Sequence, residues 1–485
     1  MKNIQSLSYV RHEMMEEQDP PTSQIGVVGW IQDNLFNGVL SSVLTVLSLL
    51  FVAWGVTAIG TWLLNSIWNA DSLNECREIL QGASGACWGV IRERFPQLMF
   101  GFYPSELYWR PILSFILMFV ALWPILFPSA PRKMLYLSLA YPFIAIFLLW
   151  GGSIWMSVLI ALTIFGSLYA AAKASGKYGL LIGVLVGLAV IVVVFFDPIG
   201  ILLGVLGYVI GLPSMSPYFE SFFGIPYPVL GVTPVDLDFF IFGTLASEIF
   251  PLFGRLNSVL DYIAPIHITQ VGPQEFGGFM LSITIGISGI VMSLPLGVFL
   301  ALGRQSNMPL IKSVCVVFIE FFRGVPLITL LFTASLLLNY FLPPGTNFDL
   351  ILRVIIMVTL FATAYMAEVI RGGLAALPRG QYEAANAMGL DYWKAQHLVI
   401  MPQAMKIAIP GTVNTFIGLF KDTTLVVFIG LLDPIGLASA IRANSAWQGI
   451  YWELFIFIGA VFWVFCFGMS RYSMHLEQRL KTDHR

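Results

Sequence analysis

Three consecutive polar residues interrupt an apolar stretch in the last quarter of the chain. Asp422, Thr423 and Thr424 fall within one helical turn of the segment at residues 407–432. A carboxylate and two hydroxyls are costly in such surroundings, so they indicate either a binding site for a polar solute or an arrangement that satisfies them internally. In the second case Lys421 and Asp422 find structural partners, and the threonines hydrogen-bond to their own helix.

Two pairs of oppositely charged residues also lie in apolar segments of the chain. Glu320 precedes Arg323, and Glu368 precedes Arg371, by three residues each. Residues at this spacing are neighbours on a helix, so we expect each acid to pair with the arginine that follows it. Direct contact with a substrate is the alternative for Glu320 and Arg323. Glu368 and Arg371 lie near a helix end and are candidates for interfacial anchors or for a gate, and Glu368 joins Glu320 as a candidate for the substrate path.

A polar stretch at residues 380–403 separates two apolar segments. Gln381–Met388 is a good short helix, and Gly389 can end it in a left-handed cap. Asp391 can cap the start of a second helix, and Pro402 is expected to stop that helix near the next apolar segment. The sequence therefore predicts a helix-turn-helix on the membrane surface.

One face of this helix-turn-helix is suited to a partner protein. Ala384 and Ala385 make it smooth enough for close docking into a groove, and Glu383 can pair with a basic residue there. The alternative is an amphipathic loop that rests on lipid headgroups. The modest basicity of the stretch disfavours that alternative, because helices on membrane surfaces carry more Lys and Arg.

Composition identifies the elements that must position these residues. The 485 residues are 58% hydrophobic and only 11% charged, and the mean hydropathy is +0.83. So much apolar surface requires a membrane, and continuous apolar runs in lipid mean helices. The fold class is therefore all-α, a polytopic membrane protein with lipid around it. Ten spans are predicted, near residues 38–64, 111–128, 134–150, 154–172, 178–196, 277–302, 309–340, 350–372, 407–432 and 449–470.

Lys and Arg in the short loops set the orientation, because they concentrate on the cytoplasmic side. With ten spans, the short basic loops and the C-terminal tail share the cytoplasmic side, and residues 65–110 and 197–275 are external. An eleventh span at 197–213 would invert the second half unless another stretch, such as 237–253, also crossed.

Cys76 and Cys87 share the first external loop, where a disulfide and two free thiols are equally compatible with the sequence.

Several functions are excluded or disfavoured. A net charge of -2 gives no basic face for nucleic acid. The sequence has no G-x-x-x-x-G-K-S/T motif, so the chain is not expected to hydrolyse ATP or to be an enzyme, and its five histidines lack the spacing of metal ligands. Residues 1–275 hold five spans with almost no charge, whereas 276–485 hold five spans with embedded polar residues. Function is expected in this second part.

Glu383-Ala384-Ala385, followed by Gly389 and by Val399-Ile400-Met401-Pro402, resembles the EAA motif of permease subunits of ABC importers. Three further stretches are similar to the polar and general L-amino-acid permeases: "EFFRGVPLITLLF", "TAYMAEVIRGGLAALPRGQYEAA" and "KDTTLVVFIGLLDP". The resemblance covers residues 276–475 well, and the N-terminal part more loosely.

This resemblance implies a five-helix permease core of a bacterial inner-membrane importer. Its expected partners are a second permease subunit, an ATP-binding cassette ATPase that holds the ATP, and a periplasmic amino-acid-binding protein. The chain itself would need no cofactor. Glu383, Ala384, Ala385, Gly389 and Pro402 would couple it to the ATPase, and an amino acid would pass Asp422, Thr423 and Thr424 with its ammonium on the acid. The alternative is a secondary transporter driven by an ion gradient, with Glu320 and Glu368 as its acids.

Overall fold

The computed structural model describes residues 26–127, 130–178, 186–187, 189–190, 256–257, 260–337 and 349–481. Helices make up nearly all of these residues, as the predicted all-α class requires. The chain forms two compact units, residues 1–89 and 90–485. Most of the predicted span at 178–196 and most of the external segment at 197–275 lie outside the described residues.

The first unit contains α1 (Gly26–Leu35), α2 (Val39–Leu64) and α3 (Leu73–Leu80). α2 is apolar on every side, and none of its residues is buried in the part of the chain that the structure describes. Such a helix is stable only where lipid or another membrane protein surrounds it. Later in the same unit, Cys76 on α3 forms a disulfide with Cys87, at a Cα–Cα distance of 6.2 Å. Of the two states that the sequence allows for these cysteines, the structure contains the bridged one.

The second unit begins with α4 (Gly89–Phe100), α5 (Trp109–Leu126), α6 (Leu135–Trp150) and α7 (Ile154–Tyr178). Two short strands, β1 (Gly152–Ser153) and β2 (His267–Ile268), pair antiparallel with Gly152 opposite Ile268. The remaining helices form the polar half of the chain. They are α8 (Gly278–Gln305), α9 (Pro309–Gly324), α10 (Leu327–Phe332) with a π-helical end (Thr333–Leu337), α11 (Leu350–Ala375), α12 (Arg379–Ala387), α13 (Tyr392–Ala395) with a π-helical end (Gln396–Ile400), α14 (Met401–Asp422) with a 3₁₀ end (Thr423–Ile429), α15 (Pro434–Ala443) and α16 (Trp452–Lys481).

Within the described residues, eight helices are long and apolar enough to cross a membrane, and a bent pair raises this to as many as nine. These nine correspond one to one with nine of the ten predicted spans. The predicted span at 309–340 corresponds to the bent pair, in which α9 and the helical segment that begins with α10 meet at 102°. Pro326 has no N–H and holds Val325 in extended backbone (φ -101°, ψ 131°), so α9 ends at Gly324 and a new helix begins at Leu327.

Three glycines bring backbones together at the end of the bundle where α8 begins. Gly101 bridges Phe276, Gly277 bridges Leu432, and the N–H of Gly278 donates to the carbonyl of Leu432 at 2.8 Å. A Cβ on Gly101 or Gly278 would collide with neighbouring backbone, and both residues have positive φ (73° and 60°). We call Gly101, Gly277 and Gly278 the glycine junction. The distribution of Lys and Arg assigns both segments that meet at Gly101 and Phe276 to the external side.

Candidate functional site

The residues at 379–400 form the predicted helix-turn-helix, and its turn has the expected chemistry. The N–H of Leu390 donates to the carbonyl of Ala385 at 3.2 Å, and the N–H of Gly389 donates to the carbonyl of Asn386 at 2.9 Å. These two bonds are those of a Schellman motif, which needs a left-handed residue at the position of Gly389, and its φ is +70°. Asp391 then caps α13 by accepting the Lys394 N–H at 3.0 Å. We call α12, this turn and α13 the coupling hairpin.

Burial corrects the face that was expected to dock. Glu383 and Ala384 are exposed, but Ala385 is only 3% exposed and packs inside this chain. The two alanines are adjacent in sequence, and adjacent positions on a helix point about 100° apart, so they do not share a face. The exposed surface instead continues from Glu383 and Ala384 to Met388 at the turn, which is 80% exposed.

Sequence reasoning did not assign the apolar residues that complete this surface. Tyr392 and Trp393 follow the turn and are 53% and 44% exposed, with their rings edge to face at a centroid distance of 5.3 Å. Aromatic residues and methionine are favoured where proteins bind each other. The stretch "MGLDYW" was the available signal, because it places two aromatics directly after a polar turn.

Pro402 does not stop the second helix, contrary to expectation. The helical segment runs without a break from Tyr392 to Ile429. Pro402 falls in the first turn of the regular helix α14, directly after the π-helical turn at Gln396–Ile400. A proline is tolerated there, because the N–H that it lacks is not required at a helix start and the wide π turn relieves the crowding of its ring. The coupling hairpin therefore continues directly into a membrane helix.

The coupling hairpin is attached to the bundle by a polar contact and a shared core. The amide of Gln403 on α14 donates to the side chain of Gln381 on α12 at 2.9 Å. Tyr382 packs against a buried cluster that includes Ile319 of α9, Ile370 of α11 and Ile400. Helices α8, α9, α11 and α14 all contribute to this cluster, so the hairpin contacts a core that these four helices share.

Five charged residues meet close to this core. We call them the charge network: Arg304, Glu320, Arg323, Glu368 and Arg371. Glu368 of α11 is at the centre, since its carboxylate lies 2.8 Å from Arg304 Nη1, 3.0 Å from Arg371 Nη2 and 3.6 Å from Arg323 Nη1. The predicted pair of Glu368 with Arg371 is present.

The predicted pair of Glu320 with Arg323 is wrong. Glu320 Oε1 instead accepts from Arg304 Nη1 at 2.8 Å, and Arg323 turns to Glu368 on a different helix. Arg304, at the C-terminal end of α8, takes the place of Arg323 as the partner of Glu320. One guanidinium nitrogen of Arg304 contacts both Glu320 and Glu368. In the sequence, Arg304 lies in one of the short basic loops between predicted spans, where it indicates only their orientation. A basic residue at a helix end gives no local signal of such a partner.

Exposure shows where the charge network faces. Glu368 is 15% exposed, whereas the side chains of Glu320 and Arg371 are 54% and 40% exposed. The guanidinium of Arg323 lies 5.8 Å from the ring centroid of Tyr365, which is itself 36% exposed. Charged groups do not face hydrocarbon without compensation, so this surface faces water, headgroups or another protein.

The structure places Asp422, Thr423 and Thr424 where α14 changes into a 3₁₀ helix. Both threonines donate to carbonyls of their own helix, Thr423 to Phe420 at 2.7 Å and Thr424 to Lys421 at 2.9 Å. Thr423 is fully buried, whereas Asp422 and Thr424 are partly exposed. The hydroxyl hydrogens are therefore engaged, and Asp422 has the accessible acceptor oxygens. Among the described residues, no ion pair joins Asp422 to the charge network.

The known proteins that this chain is similar to are membrane transport proteins. Residues 293–482 match the family of inner membrane components of binding-protein-dependent transport systems. The chain is 50% identical, over 99% of both sequences, to the glutamate/glutamine/aspartate/asparagine transport system permease protein BztC of Rhodobacter capsulatus. It is 32% identical, over 93% of both, to the inner membrane amino-acid ABC transporter permease protein YhdY of Escherichia coli. A crystal structure of an amino acid ABC transporter with histidines is 30% identical, with a TM-score of 0.37, over 41% of this chain and 91% of that one.

A helical membrane bundle that carries an EAA helix-turn-helix defines a transport permease. The chain belongs to the permease subunits of amino-acid ABC importers. It is a multi-pass protein of the bacterial inner membrane, and the hydrolysis of ATP takes place on a separate chain. These relatives do not favour the alternative of transport driven by an ion gradient.

Proposed function

We propose that this permease imports the acidic amino acids and their amides: glutamate, aspartate, glutamine and asparagine. The observation that carries this proposal is the 50% identity to BztC, a permease whose name states these four substrates. The identity extends over 99% of both chains, so it includes the N-terminal half as well as the permease core.

The complete importer needs three partners: a second permease subunit, an ATP-binding cassette ATPase and a periplasmic binding protein. The coupling hairpin is the docking site for the ATPase. Its exposed residue Glu383 supplies an acid, and the exposed Ala384 and Met388 supply an apolar surface. Together they suit a groove of a partner protein that contains a basic residue. Gly389 sets the angle between the two helices of the hairpin.

Asp422 is the proposed contact for the ammonium group of the amino acid on its path. It is the acid that interrupts the apolar surroundings, and the threonine hydroxyl hydrogens beside it are already donated to carbonyls. The oxygen of Thr424, which is partly exposed, remains as a further acceptor. Glu320, Arg323 and Glu368 belong to the same path on the cytoplasmic side of Asp422.

The test is transport by the purified complex in proteoliposomes. A tag on this chain co-purifies its ATPase, and the liganded binding protein is added outside. The four proposed amino acids should stimulate ATP hydrolysis and uptake, whereas leucine and lysine should not. Equal stimulation by leucine or lysine would contradict the substrate class, and purification without any ATPase would contradict the coupling role.

A further inference from the structure

The charge network contains two kinds of contact that differ in what happens when helices separate. Glu368 and Arg371 lie on one helix and stay together whatever the neighbouring helices do. Arg304 to Glu320, Arg304 to Glu368, and Arg323 to Glu368 join three different helices, α8, α9 and α11. A displacement of α9 therefore breaks only contacts of the second kind.

Each of the two acids has a substitute partner on its own helix. Glu368 keeps Arg371 at 3.0 Å. Glu320 and Arg323 are three positions apart on α9, which is the spacing of neighbours on a helix surface, although in this structure both point to other helices. If α9 moves away from α11, Glu320 and Arg323 can pair with each other. Neither acid is then left without a cation.

We propose that the charge network is an exchangeable latch that holds α9 against α8 and α11. It is closed in this structure by the pairs of Glu320 with Arg304 and of Arg323 with Glu368, and it opens when Glu320 and Arg323 pair within α9 while Arg304 stays with Glu368. Arg304 is its central cation, because a single nitrogen contacts both acids at 2.8 Å. Breaking a buried ion pair is costly when a charge is left alone. Exchange of partners leaves no charge alone, so the open state lies only slightly above the closed state in free energy, as a gate in a transport cycle requires.

The latch is positioned to sense the coupling hairpin. Ile319 precedes Glu320, Ala367 precedes Glu368, and both are fully buried in the cluster against which Tyr382 of the hairpin packs. Movement of the hairpin shifts this cluster and with it the helices that carry the latch. The inference rests on the proposed function in this one respect, that an ATPase moves the hairpin.

A charge exchange within α9 tests the latch without changing the total charge. In Glu320→Arg combined with Arg323→Glu, the pair within the helix is preserved. The contacts between helices become repulsive, since Arg304 then faces an arginine and Glu368 faces a glutamate. Spin labels at Ser313 of α9 and Ala375 of α11, both exposed, report the separation of the helices in the purified complex. Free Cys315 and Cys466 are first replaced by alanine.

Without nucleotide, the exchanged variant should show a new population at longer distance, enriched roughly tenfold over the wild type for the loss of two pairs. Trapping the wild type with ATP and vanadate should enrich the same population. Lys312→Gln, which removes a charge from α9 outside the network, should leave the distances unchanged. Should the exchanged protein fail to insert, Arg304→Gln provides a second test with the same expected shift.

Distance distributions that superimpose on the wild type in the inserted variant would overturn the latch and make these ion pairs static structure. The comparison without nucleotide needs no ATPase activity, so it stands or falls independently of the proposed substrate class. If the exchanged variant shifts while ATP leaves the wild type unchanged, the latch exists but the hairpin does not operate it, and the link to the coupling hairpin is refuted.

Discussion

Gly389 is the position where a single substitution should separate coupling from folding. Its φ of +70° lies in the left-handed region, and a Cβ built on it meets nothing within 4 Å. A side chain therefore causes no collision, and its effect comes only from the backbone. The left-handed conformation costs an L-residue other than asparagine about 1–2 kcal/mol, and a β-branched residue is the least compatible with it.

A penalty of 1–2 kcal/mol corresponds to a factor of about 5–30 in the population of the native turn. We expect uptake to decrease in the order glycine, asparagine, alanine, valine at position 389. Gly389→Asn should remain close to wild type, Gly389→Ala should be about fivefold lower, and Gly389→Val about 30-fold lower. Uptake of labelled amino acid into proteoliposomes measures the series, and size-exclusion chromatography verifies that each variant still assembles.

Gly380 provides a matched control in the same hairpin. A Cβ there also meets nothing within 4 Å, but the residue lies in α12 and its φ is not in the left-handed region. Gly380→Val should therefore transport nearly as well as the wild type. Full uptake by Gly389→Val, or an equal loss in both valine variants, would refute the role of the left-handed turn in coupling.

Three further substitutions test the coupling surface, the substrate path and a buried acid. Glu383→Lys should abolish stimulated ATP hydrolysis through repulsion from the ATPase groove, with normal insertion; co-purification of the ATPase at wild-type yield and activity would argue against it. Asp422→Asn should change uptake or the order of preference among the amino acids; an assembled variant with a wild-type profile makes Asp422 structural. Burial raises the pKa of Asp433 from 3.8 to about 6, so the folded state binds a proton more tightly than the unfolded state. Stability should then fall by about 3 kcal/mol as pH rises from about 4 to 6 and level off above. Asp433→Asn can still accept the Gly436 N–H and should lose that slope in thermal unfolding; an unchanged slope assigns it to other groups.

Local chemistry explains which predictions succeeded. The left-handed turn at Gly389 and the cap at Asp391 depend on residues that are adjacent in sequence, and both are present. Eight membrane helices of the described residues, or nine if the bent pair is one span, were visible as apolar runs, because lipid imposes the same requirement on every crossing. The pair of Glu368 with Arg371 belongs to the same category, since helix geometry alone brings the two together.

Two of the errors share a physical cause, which is a partner distant in sequence. Glu320 prefers Arg304 of α8 to its neighbour on α9. Ala385 is buried because the hairpin lies against the bundle, and a helix considered alone cannot show which of its sides is covered. Pro402 does not end a helix, because the π turn before it accommodates the ring. Composition and spacing contain none of these tertiary contacts.

The two ends of the bundle are held together by different kinds of contact, and this difference indicates where movement occurs. At the glycine junction, Gly101 bridges Phe276 and Gly277 bridges Leu432 through their backbones, and a Cβ on Gly277 would lie 2.8 Å from the Leu432 carbonyl oxygen. These contacts join backbones and leave no room for a side chain. At the end of the bundle that carries the charge network, Glu320, Arg323 and Glu368 form ion pairs between helices, and each also has an opposite charge three residues away on its own helix. Helix movement driven from the coupling hairpin is therefore expected to be larger at the charge network than at the glycine junction, which acts as the fixed end.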